Sequence, residues 1–139
     1  MSVPAPVKGY QFDHSFEFSQ EDVIRFAEVT GDHNPVHLDP EYAATTPFKK
    51  PIIHGFLSGS IFSKVFGTIY PGEGTIYLEQ TMTFKGPMFA GLRYNARFVV
   101  SEVDAAKGRI TVDCSIEDSD GKVCLQGMAR LMNKGAFRG

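Results

Sequence analysis

Two ionisable side chains of opposite character stand five positions apart in FAEVTGDHNPVHLDPEYA, the stretch from Phe26 to Ala43. Asp32 is an acid, His37 is a base, and Asn34-Pro35 lies between them. Proline fixes its own φ and keeps the preceding residue out of the α region, so the backbone joining the two groups has little freedom. Chemistry that moves protons needs such groups in a fixed relation to one reacting atom. An imidazole, with an ordinary pKa near 6.5, is the best-suited proton shuttle in the chain. Each group also has a structural reading. Asp32 can cap a turn after Gly31, and His37 can satisfy a backbone carbonyl from a half-buried position.

His33 and His37 are four apart, a spacing used by zinc-binding helices. Pro35 interrupts any continuous helix there and no cysteine lies nearby, so no metal site is expected. A second cluster, Pro51-Ile52-Ile53-His54-Gly55, precedes an apolar run. Gly55 falls where a helix should begin, and first-turn amides lack intrahelical partners and sit at the positive dipole end. Developing negative charge on a substrate oxygen can rest there, and glycine permits a close approach. Tight packing of helix against sheet would also explain the glycine. His54 is expected to position the start of the helix and not to shuttle protons.

These groups need a scaffold, and hydrophobic periodicity supplies one. Phe12, His14, Phe16 and Phe18 alternate at strand period over residues 10–18. Ser19 through Asp22 forms a helix cap, Val23, Ile24, Phe26 and Ala27 an apolar face, and Gly31 a stop. Asp39-Pro40 starts a further short helix. GFLSGSIFSKVF, from Gly55 to Phe66, is apolar on most sides, and such a helix belongs inside something. After Pro71-Gly72 the period changes to two. Ile76, Leu78, Met82 and Phe84 alternate with polar residues, as do Leu92, Tyr94, Ala96, Phe98 and Val100; 109–117 and 122–132 complete four antiparallel strands. The order argues for α+β, a meandering sheet curled round one central helix. Residues 1–9, with two prolines and a glycine, are expected to form a loose arm.

The 139 residues suit one domain, 1–139, with one core, and 42% apolar against 22% charged content is that of an ordinary globular protein. A net charge of −2 gives no footprint of nucleic-acid or anionic-membrane binding. No apolar run approaches membrane-spanning length, and MSVPAPVKGYQF lacks the features of a signal peptide, so a cytoplasmic location is expected. Cys114 is in phase with Val112 and Ile116, whereas Cys124 is in phase with Lys122, Gln126 and Arg130. Opposite faces of neighbouring strands cannot be bridged, so both are expected as reduced thiols.

The string from Phe26 through Gly31-Asp32-His33-Asn34-Pro35-Val36-His37 to Ala43, with the later Pro51-Ile-Ile-His54-Gly55, resembles the signature of the MaoC-like (R)-specific enoyl-CoA hydratases. The resemblance covers most of the chain and implies the hot-dog fold, a sheet wrapped around a buried helix, with dimers formed by joining sheets. It implies syn hydration of a trans-2-enoyl thioester to the (R)-3-hydroxyacyl product. Asp32 and His37 would handle one water and Gly55 N–H the thioester oxygen. Asn34, Phe56, Leu57 and Ser63 are the expected substrate contacts. Ser63 back-bonding to its own helix is an equal account of that residue, and Phe56, Leu57, Phe62, Val65, Phe66 and Met82 also read as core. Lys49, Lys50 and Arg93 are candidates for the coenzyme A phosphates. No metal, flavin or nicotinamide is implied; coenzyme A enters only within the substrate, with acyl carrier protein as another possible carrier. The alternatives are a hot-dog acyl-CoA thioesterase, an (R)-3-hydroxyacyl-carrier-protein dehydratase, or a binding module without turnover.

Overall fold

The computed structural model describes residues 5–138. Strand β1 (Gln11–Glu17) is followed by three helices, α1 (Gln20–Thr30), α2 (Pro35–Leu38) and α3 (Pro40–Ala44), and then by α4 (Gly55–Thr68). Five strands follow: β2 (Ile76–Gln80), β3 (Thr83–Phe84), β4 (Arg93–Asp104), β5 (Arg109–Glu117) and β6 (Val123–Met132). All pair antiparallel in the order β1-β4-β5-β6-β2, with β3 also on β6. The inserted first strand therefore takes one edge of the sheet, beside β4, and β2 takes the other.

The sheet curls over α4, as alternation in β4 and β5 requires. Tyr94, Ala96, Phe98 and Val100 are buried on one face, as are Ile110, Val112, Cys114 and Ile116, while their neighbours look outward. Phe98 sits at the centre. Phe62 and Phe66 of α4 meet it edge-on at 5.9 and 5.4 Å, and Phe12 of β1 stacks on it at 4.8 Å. Burial of such rings is the largest favourable contribution to the fold. This is the hot-dog arrangement. In the single chain only one side of α4 is covered: Leu57, Ser58, Ile61, Phe62, Val65 and Phe66 are buried, while Phe56 is 68% exposed.

Three sequence expectations are corrected. The stretch from Ile76 to Phe84 is two strands, because the pairing slips between Tyr77 and Glu79 and the ladder breaks at Thr81 and Met82. The slip reverses the face: the Tyr77 ring meets Phe66 edge-on, although it stays partly exposed, while Ile76 and Leu78 are exposed at the sheet edge. The cysteines do not face opposite ways. A second slip, opposite Ile116 and Glu117, turns Cys124 inward, and both thiols are buried and free. Cys114 pairs with Gly127, three residues from Cys124 and so roughly 10 Å along the strand. That distance, and not facing, forbids a bridge. The expected loose arm lies outside the described residues over 1–4, and from Gly9 onward it is tied down, since Gly9 N donates to Val100 O at 2.7 Å.

Candidate active site

The approach to the site begins where α1 ends. Ser19 caps α1 in a reciprocal capping box with Asp22, and Gly31, at φ 82°, ends it in the left-handed conformation that glycine adopts without a Cβ penalty. The released chain is stapled by short-range bonds. Asp32 N donates to Thr30 Oγ1, Asn34 N to Asp32 Oδ1 at 3.3 Å, and Val36 N to Asn34 Oδ1 at 3.1 Å. Asn34 is thus the N-cap of α2, with Pro35 in the first turn, where its missing N–H costs nothing. The stiff corner read from sequence is a cap followed by one helical turn, and His37 rides on that turn. His33 precedes the helix and is exposed, so the His33/His37 pair is not a helical pair.

Neighbouring segments then fix His37. Its Nδ1 lies 2.7 Å from Ile52 O, Gln20 Nε2 donates to its carbonyl at 2.9 Å, and Ile52 N donates to Val36 O. A carbonyl can only accept, so Nδ1 carries the proton and Nε2 presents a lone pair. Burial lowers the pKa of His37. The Ile52 carbonyl opposes that lowering, His54 adds to it, and the charge of Asp32 opposes it. The imidazole is therefore neutral, and a competent base, at neutral pH.

His54 ties the pair together. It is 2% exposed, its ring stacks on that of His37 at 3.9 Å and 28°, and its Nε2 lies 3.0 Å from the backbone oxygen of Asp32. Among the described residues its buried Nδ1 meets no partner. The sequence assigns His54 to the start of α4; it does stand at the N-cap there, without a side-chain cap bond, but its ring spans both chemical groups. An oxygen of Asp32 and a nitrogen from each histidine lie within 4.8 Å of one another. Such a trio has the ligand types of a transition-metal site, but His37 Nδ1 and His54 Nε2 are each taken up by a backbone carbonyl, of Ile52 and Asp32, which leaves one nitrogen per ring.

His37 opens onto a cleft of about 580 Å³ walled mainly by apolar side chains, among them Phe48, Ile53, Phe56, Phe84, Met88 and Leu125. Gly55 and Ser58, at the start of α4, face it from the other side, and Lys85 stands at it. A hollow of about 650 Å³ on the outer sheet face is larger but is crossed by exposed ion pairs of Arg97 with Asp13 and Glu117, and it brings together no such acid–base pair. A Cβ on Gly55 would lie 2.6 Å from the Phe84 ring, so a larger residue would push that half-exposed ring aside, and any chemical role falls to the Gly55 amide. Of the expected substrate contacts, Phe56 lines the cleft. Leu57 points instead to a groove with Phe18 and Phe26, Ser63 is on the exposed face of α4, and Asn34 serves as a cap. Lys50 lies over the Phe89 ring at 4.5 Å, and Arg93 stands at the start of β4, opposite Glu17 in the backbone register with β1. Ser58 and Lys85 carry no signal in the sequence beyond their neighbourhood, and only the folding of residues 84–88 against 53–58 reveals them.

A neutral imidazole lining an apolar cleft, with a carboxylate oxygen within 4.8 Å of its ring and the first turn of α4 on the same cleft, defines a hot-dog protein equipped for acid–base chemistry. The chain belongs to the MaoC-like domain family, whose model matches residues 2–121. It is 38% identical over 129 residues, 93% of this chain and 96% of the relative, to an (R)-specific enoyl-CoA hydratase of Aeromonas caviae. It is 39% identical to a 3-hydroxybutyryl-CoA dehydratase of Methylorubrum extorquens, over 81% of this chain and 71% of that one. Among solved structures, an (R)-hydratase from A. caviae involved in PHA biosynthesis superposes with a TM-score of 0.89 at 36% identity, covering 94% and 99% of the two chains.

Proposed function

We propose that this protein is a hydro-lyase that adds water reversibly to a trans-2-enoyl thioester, giving the (R)-3-hydroxyacyl thioester. One observation carries the reading: a carboxylate oxygen of Asp32 and a ring nitrogen of His37 lie within 4.8 Å of each other, and His37 lines an apolar cleft together with Gly55, the first residue of α4. One water held between the carboxylate and His37 Nε2 loses a proton to the pair as its oxygen bonds C3. The C2=C3 electrons move onto the thioester, whose oxygen gathers charge at the Gly55 amide, a donor of the kind worth roughly 3 kcal/mol in other enzymes. The pair then returns a proton to C2. Both additions come from the face where the water sat, so the outcome is syn. As written, the reaction uses no metal, flavin or nicotinamide; coenzyme A belongs to the substrate.

The working unit is a homodimer. The exposed Phe56 on the open side of α4 and the exposed Ile76 and Leu78 on edge strand β2 are the apolar surface a second copy would cover. Two free, buried thiols suit a reducing, cytoplasmic setting, and among the described residues no helix is long and apolar enough to cross a membrane.

The test follows the loss of conjugated enoyl-thioester absorbance with crotonyl-, hexenoyl- and decenoyl-CoA, alongside a thiol-reactive dye. Absorbance loss without dye colour is expected. Dye colour in step with turnover would make the protein a thioesterase and overturn the reading.

A further inference from the structure

Most hydroxyls on the helices are already occupied. Thr30 Oγ1 donates to Phe26 O at 2.7 Å, Ser60 Oγ to Leu57 O at 2.6 Å, and Thr68 Oγ1 to Lys64 O at 2.6 Å. All three residues are exposed. Ser58 is the opposite case: it is 3% exposed, lines the cleft with His37 and Gly55, and takes no part in bonds of that kind. The buried polar atoms left without a partner among the described residues are His54 Nδ1 and the Tyr70 hydroxyl; the Ser58 hydroxyl differs from them in opening on the cleft, where an occupant can take its hydrogen bond. Direction matters as well. Helical side chains lean toward the N-terminus and cover the turn before their own Cα. The Ser58 side chain therefore leans toward the first turn of α4, where Leu57 N and Ser58 N are taken up by the His54 carbonyl and the Gly55 amide has no intrahelical acceptor.

We infer that the Ser58 hydroxyl is a second hydrogen-bond donor, beside the Gly55 amide, to the thioester carbonyl oxygen of the bound substrate. The inference rests on the hydratase reading. As the water oxygen bonds C3, the C2=C3 pair shifts to form an enolate whose oxygen carries the charge. Ser58 O–H and Gly55 N–H share that charge until C2 takes the proton and the carbonyl reforms. Ser58 keeps its own proton throughout. Such a donor gains strength as charge develops, so its removal should act on kcat more than on KM.

The experiment compares Ser58→Ala, which removes only the oxygen, with Ser58→Thr, which retains it, using crotonyl-CoA. Ser58→Ala should lower kcat about 10- to 100-fold, less than or equal to the usual loss of one oxyanion donor, with KM changed less than about threefold. The acid limb of the pH profile should stay in place, because His37 is untouched, and Ser58→Thr should recover most of the rate. A second readout uses the slow Asp32→Asn protein to hold crotonyl-CoA unreacted. Its carbonyl stretch, measured by difference infrared spectroscopy, should move to higher frequency when Ser58→Ala is added. An unmoved stretch, a wild-type kcat in Ser58→Ala, or an equal loss in Ser58→Thr would overturn the assignment. Absence of turnover by the wild-type protein would sink the hydratase reading instead, while the carbonyl shift would still decide the role of Ser58.

Discussion

Substituting Asp32 by asparagine separates chemistry from architecture at the residue where both are at stake. Asp32 is exposed, and its Oδ1 accepts from Asn34 N at 3.3 Å, a turn contact that asparagine reproduces with its own carbonyl oxygen. Stability should therefore change by no more than about 0.5 kcal/mol. What asparagine cannot do is take a proton at neutral pH, so kcat should fall about 10²- to 10⁴-fold, equivalent to roughly 3–5 kcal/mol of barrier. A second signature comes from charge. Asp32 raises the pKa of His37 through its negative charge, so its neutralisation should move the acid limb of the residual activity to lower pH. Adding His37→Ala should cost little more than the worse single change, since one water is handled by both groups. The assays are enoyl absorbance across pH and urea unfolding of each variant. Retention of more than about a tenth of wild-type kcat by Asp32→Asn would be too small a loss for a general base and would refute the reasoning.

Other consequences are equally open to measurement. His54→Phe keeps a ring stacked on His37 but loses the donor to Asp32 O and the repulsion that lowers the His37 pKa. kcat should drop about tenfold, the acid limb should rise, and His54→Gln should recover part of the rate; unaltered kinetics would remove His54 from the site. The wild-type acid limb of kcat/KM should lie below the ordinary imidazole value of 6.5, because burial holds His37 neutral. The same depression links to stability: the unfolded chain binds this proton more tightly, so the contribution of His37 is whole above 6.5 and is lost as pH falls through its lower folded value, as urea titrations at stepped pH would show. Gly127→Ala should destabilise by about 2–4 kcal/mol, since a Cβ there would lie 1.8 Å from the Thr81 carbonyl oxygen and only backbone movement relieves it; a neutral urea midpoint would contradict that.

Local rules carried much of this protein into its sequence. The capping box at Ser19, the stop at Gly31 and the proline starts at Pro35 and Pro40 depend on groups within a few residues of one another, so Asp32 and His37 can be brought together by reading alone. Strict alternation from Tyr94 to Val100 in β4 and from Ile110 to Ile116 in β5 likewise marked the inner face of the sheet, because both strands pair on both sides and their slips, at Val100/Glu102 and Ile116/Glu117, fall beyond these runs. Other features depend on contacts between distant segments. The slips that turn Ile76 and Leu78 outward and Cys124 inward arise from pairing with β6 and β5, and one residue of register reverses a face without any local mark. His54 looks like a helix-start residue until folding lays its ring on His37, twenty-two residues after the Asp32 carbonyl it bonds. Ser58 and Ser63 are equivalent small residues on one apolar helix. Only the packing of residues 84–88 and the sheet against one side of α4 makes the first a wall of the cleft and leaves the second outside.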